Sequence, residues 1–190
     1  MKRHRLRTVL ATSDLSEGSD TSLLSASMLA DCGIAALHPF HCVPHQGLLR
    51  LKSTRERKSR ETQLRKHHRE LDQHVLRVLG ERSSPVELAV GFGNPLREIT
   101  RRANEISADV IVLGPHSPRV ALDDLLGTTA DRVLRTSRVP CLLAHRAITN
   151  PVQRVMVATD FSRHARRALE TIVDWVAWPL SAHQTSVPRV

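Results

Sequence analysis

The chain has 190 residues, of which 41% are hydrophobic and 25% charged, so it can bury a core of ordinary size and is not a disordered tail. No apolar run reaches the roughly 18 residues of a membrane span, and the basic start lacks the long apolar stretch of a signal peptide. Three widely spaced cysteines without a CxxC pair predict reduced thiols, not a disulfide framework or a zinc ribbon. We therefore expect a cytoplasmic protein.

The formal net charge of +9 is concentrated in two short stretches. Residues 1–7 carry four basic side chains and no acid, and residues 50–70 carry nine basic and three acidic side chains. The remainder of the chain is close to neutral. The basic character is therefore local and predicts basic surface patches.

A strand, a helix and a second strand are predicted at the start of the chain. Residues 8–13 (TVLATS) form a short β-prone run that Asp14 ends. Apolar residues then recur with helical spacing, and Gly33 has the position of a residue that ends a helix in the left-handed conformation. Residues 34–43 predict the second strand, in which Pro39 removes one ladder donor and favours an irregular or edge position.

The middle of the chain predicts a long helix, a third strand and a further helix. Residues 53–79 open with capping-box spacing and keep one apolar stripe, with arginine and lysine over the other faces. Residues 86–90 predict the third strand. Asn94 then has the position of a helix cap, with Pro95 as the first helical residue.

The second half predicts two more strands, which complete a fold class. Residues 109–113 (DVIVL) form an almost continuous apolar run, typical of a parallel strand covered on both faces, and end at Gly114. Residues 139–144 predict the last strand, after a helix that opens at Gly127. The alternation predicts an α/β fold with a doubly wound, five-stranded parallel sheet of the Rossmann-like type. Ligands of such sheets bind beyond the carboxyl ends of the strands, where Asp14 and Gly114 lie.

An internal repeat follows the first domain. The segment 155–162 (VMVATDFS) aligns without gaps with residues 9–16 (VLATSDLS), and a helical apolar pattern comes after it. We predict a complete domain over residues 1–148. Residues 149–190 then form an incomplete second copy, with one strand, one helix and an irregular tail.

The end of the chain carries two tryptophans. Trp175 and Trp178 on an orphan unit favour association with a protein partner, and Pro179 is expected to break the helix. A truncated domain, a swapped element and a docked extension stay open as interpretations of this fragment.

The most informative motif is a glycine-containing loop after the fourth strand. Residues 114–117 (GPHS) are followed, after nine further residues, by Gly127 and Thr128. A glycine at a strand end lets the backbone approach a phosphate. A Gly-Thr pair that opens a helix offers N–H groups, a hydroxyl and the positive end of the helix dipole to the same anion. The spacing predicts a loop around a polyphosphate.

Several motifs in a fixed order resemble the universal stress protein family. They are Asp14 after the first strand, GFGNP at 91–95, ADVIVLG at 108–114, and the stretch from Gly127 to RVPCLL at 138–143. The resemblance covers residues 5–146 and again 152–177, as the start of a tandem copy. It implies the strand order 3-2-1-4-5, a homodimer through the last strand, a role in the stress response and, in one branch, bound ATP.

The nucleotide-binding branch of that family has the loop pattern G-x2-G-x9-G-[S/T]. Gly114 matches its first glycine, Gly127 and Thr128 match its end, and Ser117 replaces its second glycine. Serine adds a Cβ where glycine permits a positive φ, and prolines flank the loop at 115 and 118, where they have no N–H to donate. These departures keep a nucleotide site and a vestigial pocket both open.

The resemblance also implies roles for residues outside the glycine pattern. Asp14 falls where the family's acidic residue meets the nucleoside, Cys42 beside the adenine pocket, and His116 at a position that lines the phosphates. The start of the fourth helix adds Thr129 as an N–H donor to the anion. Arg119 is a lesser candidate for a phosphate contact.

The hypothesis from the sequence is a binding and signalling module that holds ATP, with Mg if bound, and is not an enzyme. Three alternatives stay open: a vestigial pocket that leaves only protein partners, a weak ATP hydrolase, and a nucleic-acid binder acting through the basic helix. The last is the less favoured, because residues 41–91 contain no Phe, Tyr or Trp on which a base can stack.

Histidines and a cysteine cluster near the second strand, but we predict no metal site there. His41 and Cys42 point to opposite faces of a strand, so the group made with His38 and His45 cannot converge as a whole. A second set lacks the i, i+4 pairing of metal ligands and is predicted to lie on the solvated face of the long helix. Its members are His67, His68 and His74.

Overall fold

The computed structural model describes residues 6–45, 54–81, 86–115 and 128–182. The strands are β1 (Thr8–Ser13), β2 (Ala36–Pro44), β3 (Ala89–Gly93), β4 (Val110–Leu113) and β5 (Cys141–Leu143). The helices are α1 (Asp20–Gly33), α2 (Thr54–Leu79), α3 (Pro95–Glu105), α4 (Thr128–Thr136) and α5 (Arg163–Ala182). A short 3-10 turn, Glu17–Ser19, precedes α1.

The five strands form one parallel sheet in the order β3-β2-β1-β4-β5. The predicted α/β fold and strand order are therefore confirmed. β1 is the central strand, with Ala11 opposite Pro39 on one side and Val112 on the other. The winding direction reverses between β1 and β4, so the carboxyl ends of these two strands border the crevice where this fold binds ligands.

Each face of the sheet carries its own buried core. Val9 and Ala11 pack with residues of α1 and α2, whereas Leu10, between them, packs with residues of α3 and α4. All three side chains are completely buried. Because both faces are covered, β4 is a continuous apolar run without a polar alternation, and so is the central part of β1, residues 9–11.

Of the two positions predicted for Pro39, irregular or edge, the edge is wrong, because β2 lies inside the sheet between β1 and β3. Pro39 has no N–H, so one hydrogen bond from β2 towards β3 is missing at this residue. Glu87 N donates to Leu37 O, and Pro39 turns its backbone to the same side because successive residues alternate. The regular pairing with β3 starts only at Phe40, opposite Ala89. This explains why β3 begins three residues later than the predicted Val86, which forms an isolated bridge instead.

The end of α1 differs from the prediction at Gly33. The left-handed residue is Ile34 (φ 52°), and Gly33 is still helical. A Cβ on Gly33 would lie 3.2 Å from both Cβ and O of Leu6, so the close packing on Leu6 favours glycine at this position. The β-branched Ile34 takes the strained position and is 78% exposed.

Replacing Ile34 by glycine should therefore stabilise the protein. We expect a gain of roughly 0.5–1 kcal/mol in the free energy of unfolding, since the strain of a left-handed residue exceeds the chain entropy that glycine adds. Urea unfolding followed by circular dichroism measures it. Ile34→Ala removes the same exposed apolar atoms but keeps Cβ, so an equal gain in that control would contradict the strain explanation.

The long helix α2 confirms the predicted basic helix but buries one residue assigned to its solvated face. His74 is only 6% exposed, and its Nε2 lies 2.8 Å from Asp20 Oδ1 on α1. It shares the inner side of α2 with Leu71 and Val75, three residues before it and one after it. His68 is exposed as predicted, and His67 is partly buried.

The C-terminal fragment is a helix without its predicted strand. Residues 151–160 form neither strand nor helix, because no strand of the described chain lies beside them as β2 and β4 lie beside β1. α5 runs on past Pro179, which interrupts one helical hydrogen bond without ending the helix here. The helix contacts α1, and Trp175 packs against the core on that face. Within the described ranges, no helix has the length and apolarity needed to cross a membrane.

Candidate functional site

A cleft of about 240 Å³ opens at the carboxyl ends of β1, β2 and β4, next to the starts of α3 and α4. Four residues named from the sequence line it, and each comes from a different element or strand end. They are Asp14, Cys42, Gly114 and Thr129. The topology therefore brings these separated positions to one crevice, at the reversal of the winding.

The rest of the predicted site lies wholly or partly outside the described residues. His116, Ser117, Arg119 and Gly127 all fall in the interval 116–127. Thr128 is the first residue of α4, although its side chain is not described. The assignment of these residues to the phosphates stays a prediction.

Asp14 is an ionised acid at the rim of the cleft. Its Oδ1 accepts hydrogen bonds from Ser16 N (3.0 Å) and Ser16 Oγ (2.5 Å). Burial acts to raise the pKa of Asp14, but the bonds from Ser16 and Ser19 outweigh it, so the pKa lies below its ordinary value. The carboxylate is thus a fixed hydrogen-bond acceptor, suited to hydroxyl donors or a cation.

Cys42 contributes a neutral thiol to the opposite wall. Burial, helped by the nearby Glu98 carboxylate, raises its pKa to about 11. Its Sγ lies 3.8 Å from Gly93 O, as a weak donor. Cys42 is therefore a small, weakly polar lining residue at neutral pH, and it is a poor nucleophile.

The apolar floor of the cleft was missed by the sequence analysis. It is formed by the side chains of Phe40, Ile99, Leu113 and Ala130. The alternation of β2 could have identified Phe40, which lies two residues before Cys42 and hence on the same face. The others come from distant segments, and only the tertiary fold brings them together.

Two glycines of the recognised motifs act through packing. A Cβ on Gly91 would lie 2.7 Å from Phe40 Cζ and 2.9 Å from Glu98 Oε2, so this glycine leaves room for the floor of the cleft. A Cβ on Gly114 would lie 3.2 Å from Gly18 O. Gly114 thus lets the end of β4 approach the turn before α1, in addition to any role towards a ligand.

Neighbouring histidine and cysteine side chains of β2 lie on opposite faces of the strand, as the alternation of side chains along a strand predicts. His41 Nδ1 lies 2.9 Å from Ser13 O, and its ring stacks on His67 of α2 at 5.1 Å. Cys42 lies on the other face, in the cleft. His38 is buried near Glu87, and His45 stacks on Phe92. Among the described residues, no three His, Cys, Asp or Glu side chains form a metal-binding group.

Comparisons with known proteins identify the family. The sequence profile of the universal stress protein family matches residues 5–145. The chain belongs to that family. Universal stress protein G from Shigella flexneri and from Escherichia coli O157:H7 are each 30% identical to it over 129 residues, which are 67% of this chain and 89% of the relative.

Solved structures share the fold of this universal stress protein. The hypothetical protein MJ0577 aligns with a TM-score of 0.59 and 19% sequence identity, over 76% of this chain and 99% of that one. A universal stress protein in complex with cAMP aligns with a TM-score of 0.53 and 20% sequence identity, over 74% of this chain and 97% of that one. One from Archaeoglobus fulgidus aligns at 0.56 and 23% identity, over 90% of this chain and 64% of that one. The family match ends at residue 145, so the second copy after residue 148 stays a prediction.

Proposed function

We propose that this universal stress protein binds an adenine nucleotide in the cleft and acts in the cytoplasm as a stress-response binding module. The observation that carries the proposal is the meeting of Asp14, Cys42, Gly114 and Thr129 at the point where the winding reverses. A family member with the same fold has been crystallised with cAMP, itself an adenine nucleotide, which supports this choice of ligand.

The chemistry of the cleft fits the base and sugar of such a ligand. Phe40, Ile99 and Ala130 offer apolar surface to a planar base, and the ionised Asp14 offers an acceptor to the hydroxyls of a ribose. The volume of about 240 Å³ is somewhat below that of pockets that enclose a whole drug-sized ligand, roughly 300–1,000 Å³, and suits a nucleoside.

The phosphates are assigned to the first turn of α4 and to the interval 116–127. The N–H groups at the start of a helix attract anions, and Thr129 of that turn lines the cleft. His116, Ser117 and Thr128 are the further candidates. ATP is the full ligand we propose, with Mg²⁺ on its phosphates to supply positive charge, since the described lining contains no lysine or arginine.

We further propose that the nucleotide is held without turnover. Hydrolysis needs a base for the attacking water. The one carboxylate in the described lining, Asp14, has a lowered pKa and two hydrogen bonds from Ser16, so it is a weak base. No histidine belongs to the described lining. We expect the protein to signal through the difference between its nucleotide-bound and nucleotide-free forms.

Native purification followed by calorimetry tests the binding. Nucleotide extracted from the gently purified protein is identified by mass spectrometry, and ATP, AMP, cAMP and GTP are then titrated with and without Mg²⁺. We expect adenine nucleotides to bind, and Asp14→Ala to weaken them by about tenfold or more, because a hydrogen bond to a charged group contributes roughly 1.5–3 kcal/mol.

Asp160→Ala is the matched control. Asp160 has the same carboxylate-to-Ser162 hydrogen bond at 2.9 Å, but it lies in the C-terminal fragment and does not line the cleft. Its replacement should leave the affinity within about twofold. If millimolar nucleotide gives neither heat nor a thermal shift, or if both variants lose affinity equally, the proposed site is wrong.

A further inference from the structure

A groove separate from the cleft lies between the long helix α2 and the edge strand β3. Its volume is about 750 Å³, and it shares no lining residue with the cleft. α2 supplies all of the described lining except one residue, which comes from β3. The lining residues are Thr62, Leu64, Arg65, His68, Arg69 and Val90.

The backbone of β3 has free hydrogen-bonding groups beside this groove. β3 is the last strand on its side of the sheet, and within the described ranges only β2 pairs with it. Glu87 N donates to Leu37 O and His45 N accepts no part in this edge, since it donates to Gly93 O on the β2 side. Because successive residues of a strand turn their backbone to alternate sides, Val90 directs its N–H and C=O outward. The edge of β3 can therefore accept a further strand at the residue that lines the groove.

The polar side chains that line the groove are hydrogen-bond donors, and two of them are cations. Arg65 is 76% exposed and pairs with Glu61 of its own helix at 2.6 Å. Arg69 is exposed as well, and no described residue forms an ion pair with it. No acidic side chain belongs to the described lining. The groove is thus complementary in charge to an anionic partner.

We propose that this groove binds an acidic segment of a partner protein, which adds to β3 as an extended strand. The backbone of the segment pairs with the N–H and C=O of Val90, and its aliphatic side chains pack on Leu64 and Val90. Its carboxylates bind Arg65 and Arg69, because the planar guanidinium group matches a carboxylate with two hydrogen bonds. Binding in this groove does not require a nucleotide in the cleft.

A nucleic acid fits these features less well than a peptide does. Its phosphates would pair with Arg65 and Arg69, but it has no backbone amides that could complete the edge of β3. The described lining contains no Phe, Tyr or Trp on which a base can stack, and its apolar residues, Leu64 and Val90, suit aliphatic side chains. The combination of a free strand edge with two arginines therefore favours an acidic peptide.

Fluorescence anisotropy on the full chain tests the binding. The probe is a labelled, end-capped peptide of about eight residues, a usual length for a strand, in which Glu and Val alternate. We expect saturable binding at low ionic strength that weakens as salt is added. Hydrogen exchange should show a slower amide at Val90 when the peptide is bound. The same peptide methylated on its backbone nitrogens keeps every charge but cannot pair as a strand, and we expect it not to bind.

Arg69→Glu should weaken the binding of the peptide at least tenfold, because it places a like charge against the carboxylates. The residue is exposed, so the fold should tolerate the change. Arg167→Glu is the matched control, since Arg167 is an exposed arginine of α5 that does not line the groove. It makes the same change in net charge and should leave the affinity within about twofold.

Four results would overturn the proposal. They are no binding of the acidic peptide at millimolar concentration, equal binding of the methylated peptide, equal losses in Arg69→Glu and Arg167→Glu, and tighter binding of a short oligouridylate of the same charge. The last result would assign the groove to nucleic acid.

Discussion

Replacing Asp20 by alanine should lower the free energy of unfolding by about 2 kcal/mol, the cost of leaving a buried polar group without its partner. Asp20 Oδ1 lies 2.8 Å from Nε2 of the buried His74 and 2.9 Å from a nitrogen of Arg77, and Oδ2 accepts from Arg77 at 3.0 Å. The variant leaves the His74 ring enclosed between α1 and α2 with no acceptor. Chemical denaturation of the two proteins measures the difference.

Two variants separate the buried contact from the exposed one. Asp20→Asn keeps an oxygen acceptor for His74 and should lose less than Asp20→Ala. Arg77→Ala removes only the exposed guanidinium and should cost less again, because exposed ion pairs contribute little. If Arg77→Ala is as harmful as Asp20→Ala, the buried hydrogen bond is not the source of the stability.

This contact also bears on the candidate site. Asp20 is the first residue of α1, and the turn from Asp14 to Ser19 leads directly into it. Ser22 of the same helix donates its Oγ–H to Thr12 O at 2.6 Å, which holds the end of β1 against the helix. Fixing the start of α1 therefore fixes the rim of the cleft, and we expect Asp20→Ala to weaken nucleotide binding as well.

Most elements of the fold could be predicted because their signals are local. β1 is found at its predicted residues, and Asn94 caps α3 by accepting from Arg97 N at 3.2 Å, as the Asn-Pro pair indicates. Pro39 was assigned to an irregular or edge position because the sequence does not tell which neighbouring strand faces the missing donor. That information lies in the pairing of β2 with β3, which the tertiary structure sets.

The candidate site was predictable where a residue directly follows the end of a predicted strand. Asp14 and Gly114 follow β1 and β4 directly, so the topology alone brings them near each other. The apolar floor was not predictable, because Phe40, Ile99 and Ala130 look like ordinary core residues in the sequence. The burial of His74 was also missed. Most residues of α2 are polar, so the sequence does not indicate which of them faces α1.

The stability of the protein should fall as the pH is lowered from about 6.5 towards 5. Burial lowers the pKa of His38, against the opposing effect of Glu87 and with a further contribution from Arg102. Burial likewise lowers the pKa of His41, which also faces His67, Asp14 and Glu70 and whose Nδ1 lies 2.9 Å from Ser13 O. Both rings are therefore held neutral in the folded chain at a pH where the unfolded chain binds protons.

The sign follows from that difference in proton binding. Above the unfolded value of 6.5 both states are neutral and these histidines add no pH dependence. As the pH falls through the interval down to the folded pKa, the unfolded state binds more protons, and each histidine lowers the free energy of unfolding by up to about 1.4 kcal/mol per pH unit. The lowered pKa values of Asp14, Asp20 and Glu87 act mainly as the pH falls below the ordinary values of 3.8 for aspartate and 4.5 for glutamate, outside this interval.

Urea unfolding at half-unit steps between pH 5 and 7.5 measures this slope. His41→Asn keeps an N–H that can donate to Ser13 O and removes the titration, and with His38→Gln it should flatten the curve above pH 5. His68→Gln is the control, because His68 is exposed and its loss should leave the slope unchanged. If the free energy of unfolding of the double variant still falls between pH 6.5 and 5, other groups bind the protons, and His38 and His41 are not the cause of the pH dependence.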